Sequence, residues 1–295
     1  MPEGQAGSGR VDEVWPMSLP ALRSILFVPG DRPDRYGKAL GAGADAVCID
    51  LEDAVAGARK AEARAAVLGF LRDRGAVQSQ PDACLMVRIN DLNTDVGRDD
   101  LEAIADGPRP DALMVPMVRR AAEVEVALEK LGITLPMLPL IETAGGLENA
   151  VGIAGVVGVA GLVFGGFDLA LELGAEPHWE PLLYARSRVV HAAAVSGIPA
   201  YDVPSRDYRE LTVLREETKR VRALGFAGKT AIHPAQIPVI HEVYAPSRGE
   251  VERARAIVEA DRGAEGGAVG MGGRMVDRPV VEAARRVLER AAEVG

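Results

Sequence analysis

The side chains best able to do chemistry in this sequence fall at the ends of short apolar runs. Glu142 follows Leu138–Ile141 (LPLI), and Asp168 lies just past Gly161–Gly165 (GLVFG), in the order Gly165-Gly166-Phe167-Asp168. Arg88 sits inside the run Leu85–Ile89, with Asn90 beyond it. Asp50-Leu51-Glu52-Asp53 closes the run that begins at Ala46, Asp202 closes Pro199–Asp202, and His233 follows Lys229–Ile232. Helix capping accounts for Asp31, Asp53, Asn90 and Asp202, since Asp and Asn commonly start the helix after a strand. It does not account for Arg88, because an arginine in an apolar strand needs an anionic partner. Nor does it explain Glu142 and Asp168 together. Projecting from adjacent strands into one space, two carboxylates repel each other, and a hard cation relieves the conflict. One or two carboxylates completed by water and substrate oxygens suit Mg²⁺.

No other catalytic set competes. The four histidines, His178, His191, His233 and His241, show no metal-ligand spacing, which argues against zinc. His191 lies in an Ala-rich stretch and reads as structural. His233 is the best placed imidazole, for packing or for substrate contact. There is no G-x-S-x-G elbow, and Lys229 begins a strand, at the wrong end for a Schiff-base nucleophile.

The elements that must position these groups alternate. Strands are expected at Ser24–Val28, Ala46–Asp50, Leu85–Ile89, Ala112–Pro116, Leu138–Ile141 and Gly161–Gly165, with weaker ones at Pro199–Asp202 and Lys229–Ile232. Helix-like segments lie between them: Asp34–Gly41, Arg59–Arg74, Arg119–Leu131, Tyr184–Ser196 and Asp207–Leu224. Alternation implies parallel pairing, and continuous apolar runs imply strands buried on both faces. Val28-Pro29-Gly30-Asp31 after the first strand matches neither the dinucleotide fingerprint nor the Walker loop. Eight units close into an α/β (β/α)₈ TIM barrel, whose chemistry gathers at the C-terminal strand ends where the polar residues fall. Glycines 145, 146, 165 and 166 are expected to let a substrate approach the backbone.

The 295 residues suit one such barrel over 21–245, preceded by a Gly- and Pro-rich disordered leader, 1–20, and followed by a C-terminal helical extension, 246–295. Hydrophobic residues at 48% and charged ones at 26% indicate a soluble globular chain. A net charge of −9 with no basic run excludes nucleic acid and anionic membrane as natural partners. No apolar stretch reaches the ~18 residues of a membrane span, and the start lacks a signal-peptide core. Cys48 and Cys84 sit in apolar runs as free buried thiols, which fits the cytoplasm.

Six segments then carry a resemblance: SILFVPGDRPDRYGKAL, ADAVCIDLEDAV, VRIND, IETAGGLENA, FGGFDLALELG and GFAGKTAIHPAQI. In this order, from Arg23 to the C-terminus, the chain resembles the citrate lyase beta-subunit-like branch of the HpcH/HpaI aldolase superfamily, which includes malyl-, methylmalyl- and citramalyl-CoA lyases. The resemblance implies a homo-oligomeric barrel, a trimer or hexamer, with metal ligands at Glu142 and Asp168. It places Arg88 on the substrate's acyl and oxygen groups, and Glu52-Asp53 as an acidic pair orienting metal-bound water or the arginine. Phe27, Lys38, Ile232 and His233 fall where relatives contact coenzyme A. Arg32 and Arg35 are further phosphate contacts or surface ion pairs. GMGGRMVDRP, residues 270–279, is similar to the family's G-x-M-[VI]-D-x-P tail, whose aspartate, here Asp277, acts as acid/base in a neighbouring subunit's site. Composition alone makes that segment a Gly-rich hinge and Asp277 a helix cap.

The expected function is a Mg²⁺-dependent carbon–carbon lyase cleaving a small β-hydroxyacyl-CoA into acyl-CoA and a 2-oxo acid by retro-Claisen chemistry. Three alternatives remain: a citrate lyase beta subunit acting on a citryl-acyl-carrier-protein partner, a malyl-CoA thioesterase, and a non-catalytic acyl-CoA binder. The set Arg88, Glu142, Asp168 and Asp277 disfavours the last.

Overall fold

The computed structural model describes residues 19–76, 83–132, 135–262, 269–271 and 274–294. Eight parallel strands, β1 (Ser24–Pro29), β2 (Ala46–Asp50), β3 (Cys84–Arg88), β4 (Ala112–Val115), β5 (Met137–Ile141), β6 (Leu162–Phe164), β7 (Ala200–Asp202) and β8 (Gly228–Ala231), pair in sequence order. Ser24–Leu26 pair with Lys229–Ala231 to close the ring as a TIM barrel. After the first four strands come α1 (Tyr36–Leu40), α2 (Lys60–Ala76), α3 (Asp95–Ala105) and α4 (Ala121–Leu131). Then follow α5 (Ala144–Glu148), α6 (Ala150–Ala154), α7 (Gly166–Leu173), α8 (Trp179–Ser196), α9 (Leu211–Leu224) and α10 (Ile237–Tyr244).

Every residue of β2 to β8 is buried, because one face fills the barrel and the other meets the helices. Cys48, Cys84, Met86, Met114, Leu140 and Tyr201 pack the interior, so the barrel is a solid core with its opening only at the top. Outward, Val47, Ile49, Val87 and Val115 join a second cluster with Ala63, Val67 and Leu71 of α2 and with Val124, Ala127 and Leu131 of α4. Those helical positions recur at three- and four-residue spacing, one stripe per helix. Thr94 and Thr143 cap α3 and α5 by accepting from the N–H groups of Gly97 and Gly146. Gly132, Gly174, Gly197 and Gly225 end α4, α7, α8 and α9 in the left-handed conformation that glycine adopts without steric cost.

All eight expected strands form, with no end shifted by more than one residue. Helix boundaries moved more. α8 begins at Trp179, five residues before the expected Tyr184, because Pro181 falls in the first turn, where its missing N–H costs nothing. α9 begins at Leu211 rather than Asp207, which leaves a longer loop after β7. Of the expected leader, residues 1–18 lie outside the described residues, and Leu19 packs partly against the barrel interior.

Beyond the barrel run α11 (Arg248–Arg262), an antiparallel hairpin of β9 (Val269–Met271) and β10 (Arg274–Val276), and α12 (Arg278–Val294). Pro279 sits in the first turn of α12. Val281 and Ala284 are buried, and Arg285 pairs with Asp261 of α11 at 3.2 Å. Among the described residues no helix is long and apolar enough to cross a membrane.

Candidate active site

The mouth of the barrel is assembled by strand register. Asp50 stands opposite Arg88 across the β2–β3 ladder, and both share the inward face with Cys48 and Met86. Arg88 donates from Nε to Asp50 Oδ1 and from Nη2 to Asp50 Oδ2, each at 2.7 Å. Asp50 also accepts from the backbone N–H groups of Glu52 and Ala54 at 2.9 and 3.1 Å. It is therefore fully committed to holding the arginine. Arg88 Nη1 turns to Glu52 Oε2 at 2.7 Å and Asp53 Oδ2 at 3.5 Å. The Glu52 contact is close but lies off the N–H direction, and Oε2 gains no hydrogen bond from it. Burial opposes the charge on Arg88, yet the Asp50 hydrogen bonds and nearby carboxylates raise its pKa above the usual arginine value. The guanidinium lies 4.9 Å from the centre of the Phe27 ring.

Burial pushes Glu52 up to about 9; repulsion from Glu142, Asp53 and Asp50 adds to this, against the pull of Arg88.

Glu142 directly follows β5, and Gly165 directly follows its neighbour β6. A Cβ on Gly165 would stand 2.3 Å from both Cβ and Oε2 of Glu142. Glycine at 165 makes room for the carboxylate, and Gly166 clears the Phe164 ring, which a Cβ would meet at 2.7 Å. Gly146 avoids the Val118 carbonyl at 2.3 Å. Of the glycines expected to give a substrate access to the backbone, Gly165 lines the cavity, three of the four also leave room for packing, and Gly145 has only Arg119 Cβ nearby. Met117 N donates to Glu142 Oε1 at 2.7 Å from a backbone with φ of 55°, left-handed and uncommon for methionine. Burial pushes Glu142 up to about 7; Asp168 and Asp53 add repulsion, while the Met117 N–H and Arg88 oppose it. Asp168, in the first turn of α7, is also raised, by burial and then by Asp53.

Glu142, Asp168, Asp50, Asp53, Arg88 and Phe27 line one cavity of about 400 Å³, with apolar walls from Leu140, Val163 and Phe164. That size suits a small ligand with a few convergent polar groups. Among the described residues no three His, Cys, Asp or Glu side chains gather to hold a metal. A hard cation here would have Glu142 and Asp168 to hold it, with water and substrate completing its shell. Both carboxylates line the one cavity, where their like charges favour a cation between them.

Ile232 also lines the cavity. Lys38 is exposed on α1 and His233 is exposed beyond β8, and neither lines it. His233 accepts from Ala235 N through Nδ1 and stacks on Tyr208, with ring centres 4.6 Å apart. Arg32 pairs with Asp34 at 3.0 Å. Asp277 is exposed, and its Oδ1 accepts from Val280 N at the start of α12. Asn90 and Asp202, read as caps, do other work. Asn90 Nδ2 donates to Asp100 and to the Leu51 carbonyl. Asp202 faces outward between Arg186 at 2.9 Å and the fully buried Lys229 at 2.8 Å. Asp50 was passed over as one member of an acidic run, although its inward parity with Ala46 and Cys48 marks it. Met117 carried no signal, because its contribution is a backbone N–H.

The HpcH/HpaI aldolase/citrate lyase family model matches residues 23–234, and a model of a carbon–carbon bond lyase of the TIM-barrel fold matches residues 177–295. The chain is 36% identical over 279 residues to the citrate lyase subunit beta-like protein of Deinococcus radiodurans, covering 92% of this chain and 98% of that protein. It is 36% identical over 279 residues to the (3S)-malyl-CoA thioesterase of Cereibacter sphaeroides, covering 92% and 95%. Among solved structures, protein CitE from Mycobacterium tuberculosis in complex with magnesium, acetoacetate and coenzyme A superposes with a TM-score of 0.80 at 35% identity, covering 92% and 98%. The chain belongs to the HpcH/HpaI aldolase/citrate lyase family of carbon–carbon lyases.

Proposed function

We propose that the protein cleaves a small β-hydroxyacyl-CoA, of the malyl-, methylmalyl- or citramalyl-CoA type, into an acyl-CoA and a 2-oxo acid. The observation that carries this reading is the pairing of two mutually repelling carboxylates, Glu142 and Asp168, with the clamped Arg88 in one cavity. Magnesium held by Glu142 and Asp168 would bind the 2-hydroxy-acid end of the substrate and lower the pKa of its hydroxyl, whose proton leaves to solvent as the carbonyl of the 2-oxo acid forms. Arg88, immobilised by Asp50, presents Nη1 to the thioester oxygen and stabilises the charge that develops there as the carbon–carbon bond breaks. Phe27 and Ile232 flank the thioester end. Glu52, beside Arg88 Nη1, helps to orient the guanidinium. Asp277 of a neighbouring copy delivers the proton to the acyl α-carbon, with the 246–295 extension packed on that neighbour in a cytoplasmic trimer or hexamer. The bound magnesium and coenzyme A of the Mycobacterium tuberculosis protein support the choice of metal and carrier.

The test is cleavage of malyl-CoA and citramalyl-CoA by the purified protein with Mg²⁺ and then with excess chelator, following thioester and 2-oxo acid together. Metal-dependent release of acyl-CoA plus a 2-oxo acid is expected. The similarity to a malyl-CoA thioesterase favours hydrolysis as the second reading, and free CoA with malate would establish it. Silence on both substrates would move the assignment to a citryl-acyl-carrier-protein partner, as in a citrate lyase beta subunit.

A further inference from the structure

Arginines near the barrel mouth are mostly spoken for. Arg88 is clamped by Asp50, and Arg186 is held by Asp202 between the Phe164 and Trp179 rings. Arg206, in the loop between β7 and α9, differs. It lines the same cavity as Glu142 and Asp168. Its guanidinium carbon lies 3.8 Å from the centre of the Phe167 ring, in face contact. Among the described residues no carboxylate is placed within ion-pair distance of it. Stacking occupies the face of a guanidinium and leaves its edge, where the N–H donors are, available to a planar anion. Phe167 precedes Asp168 in α7, so the stack fixes Arg206 on the metal side of the cavity.

The loop itself is anchored twice in the three residues before the arginine. Lys229 Nζ donates to the Val203 carbonyl at 2.6 Å, and Gln236 Nε2 donates to the Ser205 carbonyl at 3.0 Å. Ser205 Oγ donates to Glu217, which also faces Lys229 at 3.3 Å. Lys229 and Gln236 are fully buried, so the backbone that carries Arg206 is pinned from inside the protein. An exposed cation that is pinned and stacked, with no carboxylate of the described residues at ion-pair distance and the charge of Asp168 acting on it from farther off, is prepared for an anion supplied from outside.

We propose that Arg206 binds the carboxylate of the substrate's 2-hydroxy-acid half, and of the 2-oxo acid product, through its guanidinium edge. This rests on the lyase reading above and adds to it the residue that recognises the acid. The same charge could in principle meet a phosphate of coenzyme A, but the stack on Phe167 beside Asp168 places it at the acid end, where a flat, bidentate partner is needed.

Titration calorimetry of the full-length protein in Mg²⁺ tests this, with pyruvate, oxaloacetate and coenzyme A as separate probes. Arg206→Gln is expected to weaken both 2-oxo acids by about 10- to 100-fold, the size of a lost charge-assisted hydrogen bond. Coenzyme A binding is expected to stay within about twofold. Arg206→Lys should recover part of the loss, since it restores charge without the fork. Mn²⁺ binding in the absence of acid should not weaken in either variant, because a cation beside Asp168 does not help a metal. If Arg206→Gln leaves the 2-oxo acids unchanged, or weakens only coenzyme A, the proposal is overturned while the lyase reading stands. If the unmodified protein binds no 2-oxo acid, the lyase reading fails and takes this proposal with it.

Discussion

Asp50 and Arg88 form a fork-to-fork pair across adjacent parallel strands, both hydrogen bonds at 2.7 Å and both side chains almost fully buried. The pair follows from register alone, since opposed residues of a parallel ladder share a face. Its effect is to spend two of the guanidinium's three nitrogens on orientation and leave Nη1 to Glu52 and Asp53. Arg88→Lys cannot reproduce the fork and is expected to lose about 10²–10³ in kcat, as when one electrostatic donor is removed. Asp50→Asn is expected to lower kcat similarly without touching substrate, and to lower the Tm, because it leaves a buried arginine underpaired. Steady-state kinetics beside thermal melts check both; full activity in Asp50→Asn would mean that Arg88 needs no clamp.

Titration of the buried carboxylates sets a pH dependence whose sign is fixed. Glu142 rises from an ordinary 4.5 to about 7 in the folded chain, so the native state holds a proton that the unfolded chain has already released. Stability from this group is complete below about 4.5 and is lost as pH climbs through about 7, a change on the order of 3 kcal/mol. Glu52 extends the decline toward about 9. Melts in excess chelator should therefore fall across this range. Magnesium, which requires the ionised form, should flatten the curve, and its affinity should drop about tenfold for each pH unit below 7. A chelated protein whose Tm rises between pH 5 and 7 would contradict the assignment.

Gly165 is the sharpest steric test of the metal pair. Gly165→Ala brings a methyl to 2.3 Å from Glu142, and the backbone there cannot yield without moving β6. Displacement of the carboxylate is expected to weaken Mn²⁺ binding by about tenfold or more, with about 1–3 kcal/mol of overpacking strain. Gly145→Ala, which meets only Arg119 Cβ at 3.8 Å, is the matched control and should bind metal normally.

Asp277 offers a clean separation of capping from catalysis. It caps α12 in this chain, and asparagine caps as well as aspartate. Asp277→Asn should leave the Tm unchanged while cutting kcat by about 10²–10⁴, the range for a positioned acid/base. Mixing this variant with Arg88→Lys under conditions that exchange subunits should restore part of the activity if one copy serves another's site. No recovery on mixing, with exchange demonstrated, would place the acid elsewhere.

The alternation of apolar runs with helical stripes was enough to determine the barrel, because strands buried on both faces and short crossovers leave few ways to close. It also determined which end of the barrel carries Glu142, Asp168, Arg88 and Asp50, since that depends only on where each run stops. Helix starts were less legible: Pro181 looks like a breaker in sequence and is harmless in a first turn. Three things were decided by tertiary structure alone. Asp202 turned outward to Arg186 and Lys229 rather than into the mouth, because strand parity at a run's last residue depends on pairing. Gly165 and Met117 serve Glu142 through space and through a backbone N–H, neither of which a residue type reveals. Arg206 came to lie on Phe167 because the loop after β7 meets the first turn of α7, 39 residues away in the chain, and sequence periodicity within one element carries no information about such a meeting.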